Sequence, residues 1–118
     1  MIYNYSRQAV VCQEVDIAST FLGRLCGLMF RTSIKATAGL LLTPCRAVHT
    51  CFMRFPVDVV FVDRHCRVVG IEMGIKPWRI SKVYRTARYA LEVPAGRVIA
   101  SGTKVGDTLG IETYPAHT

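Results

Sequence analysis

The strongest strand signal in the chain lies in residues 48–63, which have the sequence VHTCFMRFPVDVVFVD. Its second half consists almost entirely of β-branched and aromatic residues, which are enriched in strands. Side chains alternate along a strand, so Val59 and Phe61 are expected on one face and Val60 and Val62 on the other. Because apolar residues fall on both faces, the pattern predicts a central or barrel-lining strand rather than a half-exposed one.

Shorter elements are predicted on both sides of this stretch. Ser19 or Thr20 can cap a helix, and apolar residues at helical spacing predict a short helix over 20–28, which Gly27 can end. Further strands are expected at residues 2–5, 9–17, 38–42, 68–71, 90–93 and 108–112. The remaining segments are predicted to be an irregular connection at 74–89, one helical turn at 97–101 capped by Gly102, and a frayed tail at 114–118. These patterns predict a mainly β fold, α+β at the margin, in the form of one β-sandwich or barrel-like domain over residues 1–118.

Composition favours a folded globule. Of the 118 residues, 51% are hydrophobic and only 19% are charged, which argues against disorder. No apolar run approaches the roughly 18 residues needed to span a bilayer. The N-terminus lacks a basic region followed by an apolar run, so we expect no secretory signal and a cytoplasmic location, unless an exported precursor was trimmed. The five cysteines include no C-x-x-C pair and are expected to be reduced.

The net charge of +7 is unevenly distributed. No acidic residue occurs between Asp16 and Asp58, and none occurs between Glu72 and Glu92, whereas lysine and arginine recur in both intervals. Such a distribution favours weak attraction to polyanions but identifies no partner.

Several short motifs follow one another in a recognisable order. They are Ala18-Ser19-Thr20 with Arg24, then GLMFR at 27–31, GLL at 39–41, His49-Thr50, MRFPVDVVFVD at 53–63, LEVPAG at 91–96, and Gly106-Asp107. In this combination the chain resembles the bacterial and archaeal family called domain of unknown function 192, over about residues 15–112. The resemblance implies a small mainly β fold with a short helix after the first strands, and it brings no established activity. Many relatives carry tryptophan at the position of His49, so the resemblance assigns this histidine no shared acid–base role.

The polar residues within 48–63 form the first candidate site. Histidine titrates near neutrality, arginine binds anions, and aspartate can orient either of them. Our first hypothesis is a non-enzymatic accessory or binding module that holds a small anionic ligand or a protein partner in a basic groove beside residues 48–63. The candidate ligand-binding residues are Arg31, His49, Met53, Arg54 and Asp58. A structural alternative is that Asp58 accepts hydrogen bonds from an arginine or from backbone N–H groups, because an unpaired buried carboxylate is costly.

An enzyme is the second hypothesis. A small hydrolase could be built on His49, Asp58 and Glu92, provided that the three side chains converge on one pocket. A zinc site is disfavoured, because Cys45 and Cys51 would lie about 20 Å apart along an extended strand. We therefore expect neither a metal nor a cofactor.

Nucleic acid is a further alternative. Residues 76–89 interleave cations with aromatic residues, as stacking combined with phosphate contact requires. The candidate residues for RNA or single-stranded DNA are Lys76, Trp78, Arg79, Lys82, Arg85 and Arg88. The simpler interpretation is a solvated loop whose aromatic side chains anchor it to the domain while the long basic side chains cover them.

Overall fold

A computed structural model describes residues 1–112 and confirms the mainly β class. The described residues contain eight strands and two short helices. In chain order these are β1 (Ile2–Asn4), β2 (Ala9–Cys12), β3 (Glu14–Ala18), α1 (Phe21–Cys26), β4 (Ala38–Leu42), β5 (Val57–Asp63), β6 (Val68–Ile75), β7 (Ala87–Pro94), α2 (Arg97–Ser101) and β8 (Leu109–Ile111). The tail predicted at 114–118 lies outside the described residues.

The strands form two sheets. One has five strands in the order β3-β4-β7-β5-β6, and the other has three in the order β2-β1-β8. The β3–β4 pair is parallel, and the remaining pairs of named strands are antiparallel. Within residues 1–112 neither sheet closes on itself, so the fold is barrel-like only in a loose sense.

Strand β5 lies inside the larger sheet, between β7 and β6, as its apolar character predicted. Val60 and Val62 belong to one core, which also contains Val98 of α2; we call it the α2-side core. Val59 and Phe61 belong to a second core, which also contains Leu28 just after α1; we call it the α1-side core. The predicted alternation of β5 is therefore confirmed residue by residue.

The strand predicted over residues 48–63 is wrong in its first half, because β5 begins only at Val57. Residues 48–56 form an irregular segment, apart from one isolated bridge between His49 and Ile80. Pro56 has no N–H to donate to a ladder, and Phe52 has a φ of 63°, which is incompatible with a strand. The apolar composition of this half serves burial rather than sheet pairing.

Thr50 shows where the hydrogen bonds of this segment go instead. Its N–H donates to the carbonyl of Arg79 at 2.8 Å, and its carbonyl accepts from the N–H of Trp78 at 3.0 Å. Its buried hydroxyl donates to the carbonyl of Lys76 at 2.6 Å and accepts from the N–H of Arg79 at 2.8 Å. Thr50 therefore joins the 48–56 segment to the loop after β6.

The other elements differ from prediction mainly at their ends. Strand β6 extends to Ile75 and β7 begins at Ala87, so the irregular connection is shorter than the predicted 74–89. The segment 9–17 is two strands, β2 and β3, separated at Gln13. Helix α1 is capped by the Thr20 side chain, which accepts from the N–H of Gly23 at 2.9 Å, and it ends at Gly27 as predicted. Both described helices are far too short to cross a bilayer.

Candidate functional site

A cavity of about 290 Å³ lies between α1, the segment after β4, and β7. This volume is at the lower end of the range for small-molecule sites. Its walls are mostly apolar and include Phe21, Leu25, Leu28, Leu42, Val48 and Met53. Five chemically distinctive side chains interrupt them, namely Arg24, Cys45, Arg46, His49 and Glu92. The cavity thus combines an apolar enclosure with a few polar groups.

Glu92 is the most unusual of these residues. It lies on β7 opposite Leu40 and Val59, two members of the α1-side core, and only 2% of its surface is exposed. Its carboxyl group accepts no hydrogen bond from the described residues. Every side-chain nitrogen or oxygen that is completely buried among these residues has a hydrogen-bond partner, so the Glu92 oxygens are not completely buried. The carboxyl oxygens therefore face the space of the cavity.

Gly27 makes this placement possible. A Cβ atom on Gly27 would stand 3.3 Å from Oε1 of Glu92, and the φ of Gly27 is 46°. Glycine tolerates a positive φ without strain and leaves room for the carboxyl group. The end of α1 and the carboxyl of β7 consequently meet in one place.

Burial controls the ionisation of Glu92. It raises the pKa of this carboxyl from 4.5 to about 7, because the charged form loses its hydration. Near neutral pH the group is thus divided between its protonated and ionised forms. It can donate a hydrogen bond in the first form and pair with a cation in the second.

His49 is held by both of its ring nitrogens. Its Nε2 lies 2.8 Å from the carbonyl oxygen of Leu25, and its Nδ1 accepts from the N–H of Cys51 at 3.2 Å. A carbonyl cannot donate, so Nε2 must carry the proton. Both nitrogens are therefore occupied, and the side chain fastens α1 to the 48–56 segment.

Cys45 also lines the cavity. Its thiol donates to the carbonyl of Ala47 at 3.0 Å, and burial raises the pKa of the thiol. Cys45 is therefore a neutral hydrogen-bond donor at neutral pH rather than a thiolate. Within residues 1–112 no group of three or more His, Cys, Asp or Glu side chains could hold a metal ion.

Asp58 lies apart from the cavity. Its carboxyl group is buried and accepts three backbone hydrogen bonds, from Gly74 at 2.8 Å, Gly96 at 3.0 Å and Val98 at 3.1 Å. These contacts correspond to the structural alternative for Asp58, with backbone N–H groups as the donors. The structure thus brings His49 and Glu92 together but does not add Asp58 to them.

The other candidate ligand-binding residues are dispersed. Met53 is buried and lines the cavity. Arg31 is exposed and lies in a separate depression with Glu14 and Asp16. Arg54 is exposed and does not line the cavity. The arginines that do line it are Arg24 and Arg46.

Sequence reasoning missed these two arginines as cavity-lining residues and Gly27 as a neighbour of Glu92. No local pattern identifies them, because α1, the segment after β4, and β7 are far apart in the chain. The one available signal was the glutamate within an apolar strand.

The residues proposed to bind nucleic acid do not form one continuous surface either. Lys76, Arg79 and Lys82 line a depression beside β6 that also contains Glu72. Trp78 is exposed, and its ring centroid lies 4.6 Å from that of Phe52. The two remaining candidates, Arg85 and Arg88, are exposed outside this depression.

Comparison with known proteins places these features in a family. The model of DUF192, described as Uncharacterized ACR, matches residues 3–111. The chain is 37% identical over 99 residues to a UPF0127 protein from Pyrococcus furiosus, covering 81% of this chain and 84% of that protein. It is 36% identical over 112 residues to a UPF0127 protein from Pyrococcus horikoshii, covering 92% of this chain and 96% of that protein.

Two crystal structures have a similar fold. One is a protein of unknown function from Novosphingobium aromaticivorans, with a TM-score of 0.76 at 24% identity, covering 82% of this chain and 74% of that one. The other, from Sinorhizobium meliloti, is provisionally described as a transcription regulator, with a TM-score of 0.75 at 25% identity, covering 81% of this chain and 79% of that one. The family match over 3–111 includes β2 and most of β1, which precede the region of the motif resemblance. The chain belongs to the uncharacterised DUF192 family.

Proposed function

We propose that the protein is a non-enzymatic binding module for a small, largely apolar molecule that carries one amine or hydroxyl group. The observation that supports this proposal is Glu92, a buried carboxyl group that faces the cavity and accepts no hydrogen bond from the described residues. A buried polar group without a partner is costly, so a ligand that supplies a donor gains the whole of that interaction.

The apolar walls account for the rest of the ligand. Burying an alkyl or aryl group against side chains such as Leu28, Leu42 and Val48 stabilises the complex by about 25 cal/mol per Å² of apolar area. An ammonium group beside Glu92 would favour the ionised carboxylate and form a desolvated charge pair. An anionic ligand, our first hypothesis from the sequence, would have to direct its charge toward Arg24 or Arg46 instead.

A matched series of probes tests the proposal. We suggest titrating the protein with 3-phenylpropylamine, 3-phenylpropanol and 3-phenylpropionate, and following backbone amide chemical shifts by NMR. The amine should bind most tightly above neutral pH and shift the amides of Gly27, Val48 and Met53. Glu92→Gln should weaken amine binding by about tenfold or more, because one charged partner is lost. The exposed Glu14→Gln should leave it unchanged.

Two results would overturn the proposal. The first is that the propionate binds as tightly as the amine. The second is that Glu92→Gln and Glu14→Gln bind the amine equally well.

The sequence-based alternatives remain predictions. The hydrolase hypothesis requires His49, Asp58 and Glu92 in one pocket, and Asp58 is instead held by backbone N–H groups. Nucleic-acid binding through 76–89 has weak support from the relative described as a transcription regulator. Anisotropy of a labelled oligonucleotide at low salt would test it, since phosphate contacts weaken steeply as salt rises.

A further inference from the structure

Large apolar side chains are exposed on α1, just after it, in the 48–56 segment and in the loop after β6. No residue of α1 is buried, and Phe21 is 75% exposed. Trp78 is 58% exposed and Ile80 is 78% exposed. We call this surface the α1 face and define it by Phe21, Leu22, Leu25, Phe30, Phe52, Trp78 and Ile80. Contiguous apolar patches of this kind are uncommon on monomeric proteins and indicate an interaction site.

Direct contacts make the α1 face continuous. The ring of Phe52 lies 5.3 Å from that of Phe30 and 4.6 Å from that of Trp78, measured between centroids. His49 connects this cluster to α1, because it is bridged to Ile80 and hydrogen-bonded to the carbonyl of Leu25. One surface therefore runs from α1 to the loop after β6.

The backbone holds the aromatic part of this face in a strained form. Phe30, Phe52 and Trp78 have φ values of 65°, 63° and 65°, in the left-handed region that bulky residues rarely adopt. The N–H of Phe30 donates to the carbonyl of Phe52 at 2.9 Å, and the N–H of Trp78 donates to that of Thr50 at 3.0 Å. Residues in such conformations cluster at binding sites, where the surrounding structure maintains them.

Positive charge accompanies the apolar side chains. Arg24 and Arg46 line the cavity beside Phe21, and Arg54 follows Phe52 by two residues. Lys76 and Arg79 flank Trp78. None of these five cations forms an ion pair within residues 1–112, where the sole ion pair joins Arg7 to Asp107.

Glu92 and Glu72 are the acidic residues that line the cavity and the depression bordering this face. Glu92 lies at the buried wall of the cavity, and Glu72 accepts hydrogen bonds from the N–H of Lys82 and the hydroxyl of Tyr84. The outer part of the face is thus apolar with unpaired cations.

We propose that the α1 face docks on the surface of an anionic lipid bilayer. Projecting aromatic and aliphatic side chains can enter the boundary between headgroups and acyl chains, while lysine and arginine contact anionic headgroups. A second copy of the chain would bring like charges together. Nucleic-acid bases can stack on aromatic rings, but they offer no apolar counterpart for the aliphatic side chains of Leu22 and Ile80. A protein partner would usually present charges of both signs, whereas these cations match a uniformly negative surface.

The test uses the chain's single tryptophan as a reporter. The protein is mixed with vesicles of phosphatidylcholine alone or with about 30% phosphatidylglycerol, at about 0.1 M salt. Sedimentation measures binding, and Trp78 emission measures transfer to an apolar environment. We expect binding and a blue shift only with phosphatidylglycerol.

Surface variants identify the docking face. Leu22→Ser and Arg54→Gln each replace an exposed side chain, so the fold should be retained. We expect each to weaken vesicle binding by about fivefold, the effect of losing roughly 1 kcal/mol. Ile99→Ser is the matched control for Leu22→Ser, because Ile99 is at least as exposed but lies on α2, which packs on the α2-side core.

Several outcomes would overturn the inference. These are absence of binding to either vesicle, equal loss of binding in Ile99→Ser, concentration-dependent dimers that Leu22→Ser abolishes, or binding of a labelled oligonucleotide without binding to vesicles. The inference rests on this surface alone. It stands or falls independently of amine binding at Glu92.

Discussion

At the scale of single residues, Glu92 links stability to protonation. The carboxyl group sits among aliphatic side chains, and the folded protein supplies no hydrogen-bond donor to its charged form within the described residues. In the unfolded chain the same group is hydrated and ionises in its ordinary range. Ionisation of Glu92 therefore destabilises the folded state relative to the unfolded chain.

This opposition predicts a pH dependence. The pKa is about 7 in the folded protein and near 4.5 in the unfolded chain, so between these values the folded state binds more protons. The free energy of unfolding must then fall as pH rises from 4.5 to 7, by about 3 kcal/mol from this group. The glutamine in Glu92→Gln cannot ionise, so the free energy of unfolding of this variant should not show this decline with pH. Urea unfolding at about pH 5 and about pH 8 measures it for both proteins.

Comparison between variants isolates the effect from other titrating groups. Glu14→Gln, at an exposed site, should follow the wild-type curve. If Glu92→Gln and wild type show the same change in unfolding free energy between the two pH values, burial does not govern the ionisation of Glu92.

At the scale of elements, Asp58 fixes the start of α2. Its Oδ2 accepts from the N–H groups of Gly96 and Val98, and its Oδ1 accepts from Gly74 in β6. One carboxyl group thus joins β5, β6 and α2. The side chain satisfies N–H groups that a helix cannot pair internally at its first turn.

Asp58→Ala should therefore impair stability. Three N–H groups would lose their acceptor, that of Val98 in a buried place and those of Gly74 and Gly96 in partly buried ones. We expect a loss of about 3 kcal/mol in the free energy of unfolding. Asp63→Ala is the matched control, because the Asp63 carboxyl also accepts two backbone bonds, from His65 and Arg67, but in an exposed turn. It should cost about 1 kcal/mol. Equal losses in the two variants would contradict the structural role of Asp58.

The elements also show what sequence can predict. The two faces of β5 follow from the alternation of side chains, which depends only on backbone geometry. Pro56 is a local signal for the break before Val57. The pairing of residues 48–50 with the distant segment 78–81 has no such signal. For residues 48–56, the apolar composition correctly indicated burial but wrongly indicated a continuous strand.

The candidate site could likewise be predicted only in part: the sequence identified its central residue but not that residue's neighbours. A glutamate in an apolar strand identified Glu92 as unusual. Its neighbours, Gly27 and Cys45, reach it only through the folding of α1 and the segment after β4 against β7. Contacts between distant parts of the chain leave no local pattern.

At the scale of the whole molecule, the larger sheet separates two cores that share β5. Six of its seven residues are buried, and the five apolar ones among them are distributed between the α1-side and α2-side cores. A change in either core should therefore affect global unfolding. Helix α1 is different, because it contributes no buried residue to either core.

Hydrogen exchange should reveal this division. The amides of Arg24 and Gly27 are bonded only within the α1 turn, to Thr20 and Gly23, while His49 provides one tether at Leu25. We expect them to exchange by local opening, at least about a hundredfold faster than the β5 amides, which require global unfolding. His49→Ala should accelerate exchange in α1 and leave β5 unchanged. If α1 and β5 exchange at one rate and His49→Ala affects both, α1 belongs to the global folding unit.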